Sequence, residues 1–290
     1  MNVRKPAVAG QFYPANADEC RQEIQECLPQ TPITAMLPSH IVAAIVPHAG
    51  WVFSGDLAAM AFEAIRQVNG RVDSFVIFGA AHRYFNGGAV VYDHGAWETP
   101  LGLAEIDEEL AGQIVDLGAH ADLAAHRGEH SIEVQIPFIQ YLFADAKIVP
   151  VLVPVAGFEY HLGTRIGQHL ARQKDRRVVC IASTDLTHYG PRYGFCPAGT
   201  GPAALKWARQ VNDVEFIKLA VQMEADKIVS HALDKGNACG PAAVATVVAA
   251  ARAMGCTHGT LLAHTTSNDV LERRFRQTSQ ESVGYAAIVY

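Results

Sequence analysis

The chain has 290 residues, half of them apolar and 18% charged, with a formal net charge of −6. That balance excludes a sequence-independent grip on nucleic-acid phosphates, and short clusters such as Arg176–Arg177 and Arg273–Arg274 read as solvated surface. No apolar run approaches the roughly 18–20 residues of a membrane span, the best being Pro241 to Ala251, and the opening residues Met1–Pro6 lack a signal peptide's apolar core. The expectation is one cytoplasmic α/β domain covering residues 1–290, with no nucleic-acid or membrane partner.

In chain order, Ala17–Leu28 repeats its apolar residues at helical spacing, and Ile41–Val46 follows as a β-rich run. Ser54 is placed to cap a helix over Gly55–Val68, ahead of strands Ser74–Phe78 and Ala89–Tyr92. Asp107 caps Glu108–Leu117, which Gly118 ends, and His130–Phe143 reads as a helix interrupted early by Pro137. Strand Lys147–Val153, helix Phe158–Gln173 and strand Val178–Ala182 come next. Tyr189–Pro202, rich in Gly and Pro, is the longest loop candidate and is placed to cover a site. Helices Ala203–Met223 and Pro241–Met254 precede strands Thr260–Ala263 and Tyr285–Val289. Many strands are continuously apolar, as in sheets buried on both faces, so the fold class is a three-layer α/β/α sandwich with a mostly parallel central sheet.

Ligands of open parallel sheets bind beyond the carboxyl ends of the strands. Three apolar strands each deliver a histidine within six residues of their end: His48, His82 and His188, the last in Ser183-Thr184-Asp185-Leu186-Thr187-His188. One such histidine is an ordinary turn residue; three on one edge point to a metal site or an acid–base pair, which spacing alone does not separate. The cysteines Cys20, Cys27, Cys180, Cys196, Cys239 and Cys256 form no C-x-x-C pair. Cys239 alone stands directly before Gly240-Pro241 and an Ala-rich helix, where a helix N-terminus favours thiolate. Glu129 and His130 stand at a helix start, where the carboxylate reads as an ordinary stabilising feature.

These segments together resemble the Memo family: Val46-Pro47-His48-Ala49-Gly50, Gly79-Ala80-Ala81-His82, Glu129-His130-Ser131-Ile132-Glu133, Ser183-Thr184-Asp185 through His188, and Ala238-Cys239-Gly240. The opening Arg4–Tyr13 and the closing Ser282–Ala287 resemble that family's ends, so the likeness spans nearly the whole chain in order. It implies a fold similar to the class III extradiol dioxygenases and a metal held by His48, His82 and Cys239. Fe(II) is implied first, with Cu(I) as the other candidate. Supporting roles are implied for Asp185, His188 and His130: His188 or His130 moving a proton, and Asp185 fixing a histidine's tautomer and orientation. It also implies a small-molecule substrate and a radical-SAM system partner. A cysteine stands where the facial triad of those dioxygenases has a carboxylate. Pro241-Ala242-Ala243 stands where animal members carry Arg-His-Pro.

The expected function is therefore a metal-binding redox protein of the oxidoreductase, dioxygenase-like kind. The alternative is a non-catalytic peptide- or partner-binding protein on the same scaffold. A metal-free hydrolase or transferase, with Cys239 as nucleophile and His188 as base, is a third reading. Trp51, Tyr84, Phe85, Trp97 and Tyr189 are the aromatic candidates for the pocket lining.

Overall fold

The computed structural model describes residues 2–33, 35–83, 87–156 and 160–290. Its elements are β1 (Val3–Arg4), α1 (Ala17–Cys27), β2 (Ala43–Val46), α2 (Trp51–Asn69), β3 (Ser74–Ala80), β4 (Val90–Val91), β5 (Ala96–Thr99), β6 (Gly102–Glu105), α3 (Glu108–Asp116), β7 (His120–Ala121), α4 (Ile136–Leu142), β8 (Lys147–Val153), α5 (His161–Leu170), β9 (Val178–Ser183), β10 (His188–Tyr189), α6 (Pro202–Trp207), α7 (Asp213–Val221), α8 (Ala225–Lys235), α9 (Pro241–Ala253), β11 (Thr260–Thr266), α10 (Ser267–Val270) and β12 (Ser282–Val289).

The large sheet runs β10-β12-β2-β9-β3-β8-β4-β7, with β11 also paired to β12. Its centre, β2-β9-β3-β8, is parallel, while β12, β11 and β4 join antiparallel at the margins. A separate three-stranded sheet, β1-β5-β6, forms beside it. The central strands are buried along almost their whole length, which is why they are continuously apolar rather than alternating. Helices α1, α2 and α4 cover one face; α5, α7, α8 and α9 cover the other. The result is the expected three-layer α/β/α sandwich.

Local chemistry explains most boundaries. Asn16 caps α1 by accepting from Asp18 and Glu19, and Asp107 caps α3 by accepting from Leu110. Helix α9 is buried through Ala251, as an Ala/Val helix apolar on all sides must be. It is reached closely by α5 because Gly163 and Gly167 carry no Cβ; one would collide with the carbonyls of Thr246 and Ala250.

Several expectations need correction. Helix α2 starts at Trp51 with Gly50 as its N-cap, so Ser54 lies inside it and its hydroxyl donates to Ala49 O at 3.2 Å. The helix predicted from His130 begins as a 3-10 turn, Glu133–Gln135, and turns α-helical only at Ile136, with Pro137 in the first turn. The stretch read as one helix from Ala203 is α6 and α7 joined through a π-helical turn, Ala208–Asn212. Phe158, the predicted start of α5, lies outside the described residues. Among those described, no helix is long and apolar enough to cross a membrane.

Sheet register sets up the site. Val46 of β2, Gly79 of β3 and Ser183 of β9 lie level across the parallel strands. The chain leaves the sheet just beyond that line, so His48, His82 and Asp185 emerge side by side on one edge. Gly79 lets the segment 129–132 close against this edge, since a Cβ there would lie 2.6 Å from Ser131 Oγ.

Candidate metal centre

Each imidazole is held by one ring nitrogen, which decides what the other can do. His48 is buried, and its Nδ1 lies 3.2 Å from Ser183 Oγ. The Ser183 hydroxyl donates to Ser131 O at 2.6 Å and receives Gln135 Nε2 at 3.1 Å. Gln135 Nε2 also donates to Pro47 O, which fixes its amide orientation. Ser183 therefore has only acceptor capacity left for His48, so Nδ1 carries the proton and Nε2 is a bare lone pair. Burial, with the imidazoles of His82 and His130 nearby, drives the His48 pKa well below its usual value and keeps the ring neutral.

Glu129 performs the matching task for His82. Its carboxylate is almost completely buried and accepts from His82 Nδ1 at 3.0 Å, from the His82 amide at 2.9 Å, and from the His130 and Ser131 amides at 2.8 Å each. Burial alone would raise this carboxyl, but the His82 hydrogen bond and charge and the Ser131 amide hold it well below the carboxylate range. Burial in turn opposes charge on His82, yet Cys239 and Glu129 outweigh it and push the imidazole up to about 10. His82 Nε2 is left for the Cys239 side of the pocket. A carboxylate that fixes the far nitrogen of a histidine is a recurrent feature of metal-ligating imidazoles.

His130 stacks on His82 with ring centroids 4.8 Å apart and meets His48 edge-on at 5.3 Å. Burial and the charge of His82 lower its pKa. One ring nitrogen from each of His48, His82 and His130 lies within 4.8 Å of the other two. Cys239 Sγ stands 3.2 Å from His48 Nε2 and receives the Asp185 amide at 3.3 Å. Gly240 rather than Cys239 is the N-cap of α9, placing the cysteine one residue before it, where its own amide donates to Asp185 O.

The structure thus gathers His48, His82 and His130 into one cluster, with Cys239 against His48 and His82. Asp185 and His188 line the same cavity, but Asp185 holds His48 through its backbone rather than fixing a ring tautomer. Its carboxylate accepts the backbone amide of His48 at 2.7 Å, not a ring nitrogen; the tautomers are set by Ser183, by Glu129 and, for His188, by Leu186 O at 3.0 Å. Burial pushes the Asp185 carboxyl up, partly offset by His188 and the amides of His48 and Ala49.

The cavity measures about 680 Å³, and its apolar lining includes Phe12, Val52, Phe53, Tyr193, Leu271 and Tyr285. Of the aromatics named from sequence, the three that are described lie elsewhere. Trp51 donates to Val134 O in the core, Trp97 packs under the Arg4 guanidinium, and Tyr189 donates to Gly199 O. Tyr84 and Phe85 fall outside the described residues. The loop over the site does contribute, through Arg192 and Tyr193, and Tyr193 meets His188 edge-on at 5.2 Å. Sequence reasoning missed Ser183, Gln135 and the histidine-holding role of Glu129. The one available signal was a Glu immediately before His130, read as a helix-end charge.

Around one first-row metal ion, with bonds of about 2.0–2.3 Å, nitrogen and sulfur donors stand roughly 3–4 Å apart. The Cys239–His48 pair is at that spacing, and the bare Nε2 of His48 suits a cation. The histidine cluster with Cys239 beside it is therefore compatible with a metal site.

Fold and site define an α/β/α protein with a histidine-lined pocket at the carboxyl edge of its parallel strands. The chain belongs to the Memo family: a family model described as Memo-like protein matches residues 4–289. A MEMO1 family protein of Thermococcus onnurineus is 38% identical over 297 residues, covering 99% of both chains. One from Pyrococcus furiosus is 36% identical over 299 residues, covering 99% of this chain and 98% of that one. Among solved structures, an uncharacterized protein of Escherichia coli K12 shares the fold, with a TM-score of 0.52 and 16% identity over 86% of this chain and 99% of that chain.

Proposed function

We propose that this protein is a mononuclear non-haem metal oxidoreductase that uses O₂ on a small organic substrate, with His48 Nε2, His82 Nε2 and Cys239 Sγ as the metal donors. The observation that carries the reading is the thiol of Cys239 set 3.2 Å from an imidazole nitrogen whose proton is held on its far side. Iron(II) is the assigned ion and copper(I) the second choice, because a thiolate beside two imidazoles suits soft and borderline metals. When bound, such an ion supplies one-electron chemistry and open positions for O₂ and substrate.

The chain's own residues do the rest. Ser183 and Glu129 keep protons on Nδ1 of His48 and His82, so both Nε2 atoms face the pocket. His188, its Nδ1 donating to Leu186 O, presents Nε2 to the cavity as the atom that takes or gives a proton. His130, edge-on to His48 and stacked on His82, is the second proton carrier. Asp185 holds the His48 backbone in place, and Phe12, Phe53 and Leu271 keep bulk water from the inner wall. A radical-SAM protein acting in the same system is proposed as the partner.

The test is aerobic turnover of protein loaded with Fe(II) or Cu(I), read as O₂ consumption over a panel of small organic substrates and compared with Cys239→Ala. Consumption that disappears in the variant supports the reading. Protein that binds a peptide ligand equally well with and without metal, and never consumes O₂, favours a binding protein on the same scaffold.

A further inference from the structure

Two stretches that stand out in the sequence have no part in holding a metal: the opening segment Arg4–Tyr13 and the buried Glu133. In space they are partners. The Glu133 carboxylate, fully buried, accepts the Ala7 amide at 2.9 and 2.8 Å on its two oxygens, the Val8 amide at 2.9 Å, Tyr13 Oη at 3.0 Å and Arg4 Nη1 at 2.7 Å. Every partner is a donor, so an acceptor-only carboxylate satisfies them all, whereas an amide would turn N–H groups against N–H groups. One side chain thereby pins a segment more than 120 residues away in the chain.

What that segment does is form one wall of the pocket. Phe12 O receives the Trp51 amide at 2.8 Å, which ties the segment to the start of α2. Phe12 and Gln11 line the cavity, and the Phe12 ring stands edge-on to His130 at 5.1 Å. We propose that Glu133 is a positioning residue of this site: by fixing residues 4–13 it holds Phe12 against His130, shields that imidazole from solvent and keeps it stacked on His82. The inference goes beyond the metal assignment and does not depend on it.

The test uses the full chain without added metal. The probe is diethyl pyrocarbonate, and the readout is the rate of carbethoxylation at His130, followed by peptide mass spectrometry with His188 as internal reference. Phe12→Ala removes the shield directly, and His130 is expected to react several-fold faster while His188 is unchanged. Glu133→Gln is expected to match it, and Tyr13→Phe, which deletes one of the donors, to fall between wild type and Phe12→Ala. The double variant Glu133→Gln/Phe12→Ala is expected to react no faster than Phe12→Ala, because both changes act on one contact. A wild-type rate at His130 in Glu133→Gln, or additive rates in the double variant, overturns the proposal. Should Glu133→Gln not fold, Tyr13→Phe decides: a wild-type rate at His130 there overturns it equally. Because no metal is involved, failure here and failure of the metal assignment are separate results.

Discussion

At the residue scale, two side chains decide which ring nitrogens of His48 and His82 are left for the pocket. Ser183 accepts from His48 because its own proton is committed to Ser131 O, and Glu129 accepts four N–H groups at once. Glu129→Gln places an amide NH₂ among those donors and removes the charge that orients His82. Metal affinity is expected to fall about 10–100-fold, measured by competition against a chromophoric chelator; an unchanged affinity would sink the assigned role of Glu129. The same scale shows where sequence reading stops. His48, His82, His188 and Cys239 were legible as neighbours because each follows a buried strand or precedes a helix, whereas their metal-holding role came only from the family resemblance. Ser183 and Gln135 were not, since a tautomer is fixed by contacts between segments 48 and 135 residues apart in no local pattern.

The fold's elements carry two further predictions. Gly163 and Gly167 let α5 lie against α9 with backbone touching backbone. Gly163→Ala is expected to cost about 1–3 kcal/mol through overpacking, read from chemical denaturation at neutral pH. Wild-type stability would mean that the helices can part freely. His126 is fully buried beneath Arg4 and Trp97, with Nε2 donating to Val90 O at 3.2 Å. Burial, with Arg4 adding to it, lowers its pKa to about 3. Between that value and the ordinary 6.5, the unfolded chain binds a proton that the folded chain refuses, so stability falls as pH falls, by about 1.4 kcal/mol per unit. His126→Phe leaves the Val90 carbonyl without its donor and lowers stability at pH 7, but the acid slope should become shallower by that one proton. An unchanged slope between pH 4 and 6.5 would show that His126 is not the group responsible.

Among the elements, those with strong local signatures were legible: the buried parallel strands, the Asp107 cap and the Ala-rich α9. Strands β5 and β6 were not, because Ala96–Thr99 and Gly102–Glu105 mix polar with apolar residues and carry no apolar run, β6 being largely exposed as well. Helix α8 went unread between Met223 and Cys239 because its buried face is only Ala225, Ile228 and Ala232. The π-helical turn at Ala208–Asn212 has a tertiary correlate: consecutive Asn212 and Asp213 both bond Thr187, in the loop bearing Asp185 and His188.

Across the whole molecule, the parallel centre of the sheet makes one pocket from distant segments. The register levels Val46, Gly79 and Ser183, α9 brings in Cys239, and the 129–133 segment closes the side. The order of these motifs was legible and pointed to the fold. The N-terminal wall was not, since Arg4 and Glu133 are 129 residues apart and pair only once the chain is folded. The Arg4–Glu133 ion pair is buried on both sides. Removing its cation by Arg4→Ala is expected to destabilise the protein by about 3–5 kcal/mol, read from thermal and urea unfolding, because the buried carboxylate keeps its amide and hydroxyl donors but loses its cationic partner. A loss within the range of a surface pair would contradict the burial seen here.

The measurement that bears most directly on the central claim is anaerobic metal binding by the full chain. Fe(II) and Cu(I) would each be titrated against a chromophoric competitor, with wild-type protein, Cys239→Ala and His48→Ala compared at one pH. The account predicts one ion per chain for the wild type and a loss of binding in both variants, with the folded state retained by circular dichroism. A wild-type protein that takes up neither ion, or a Cys239→Ala protein that binds as tightly as wild type, would contradict it.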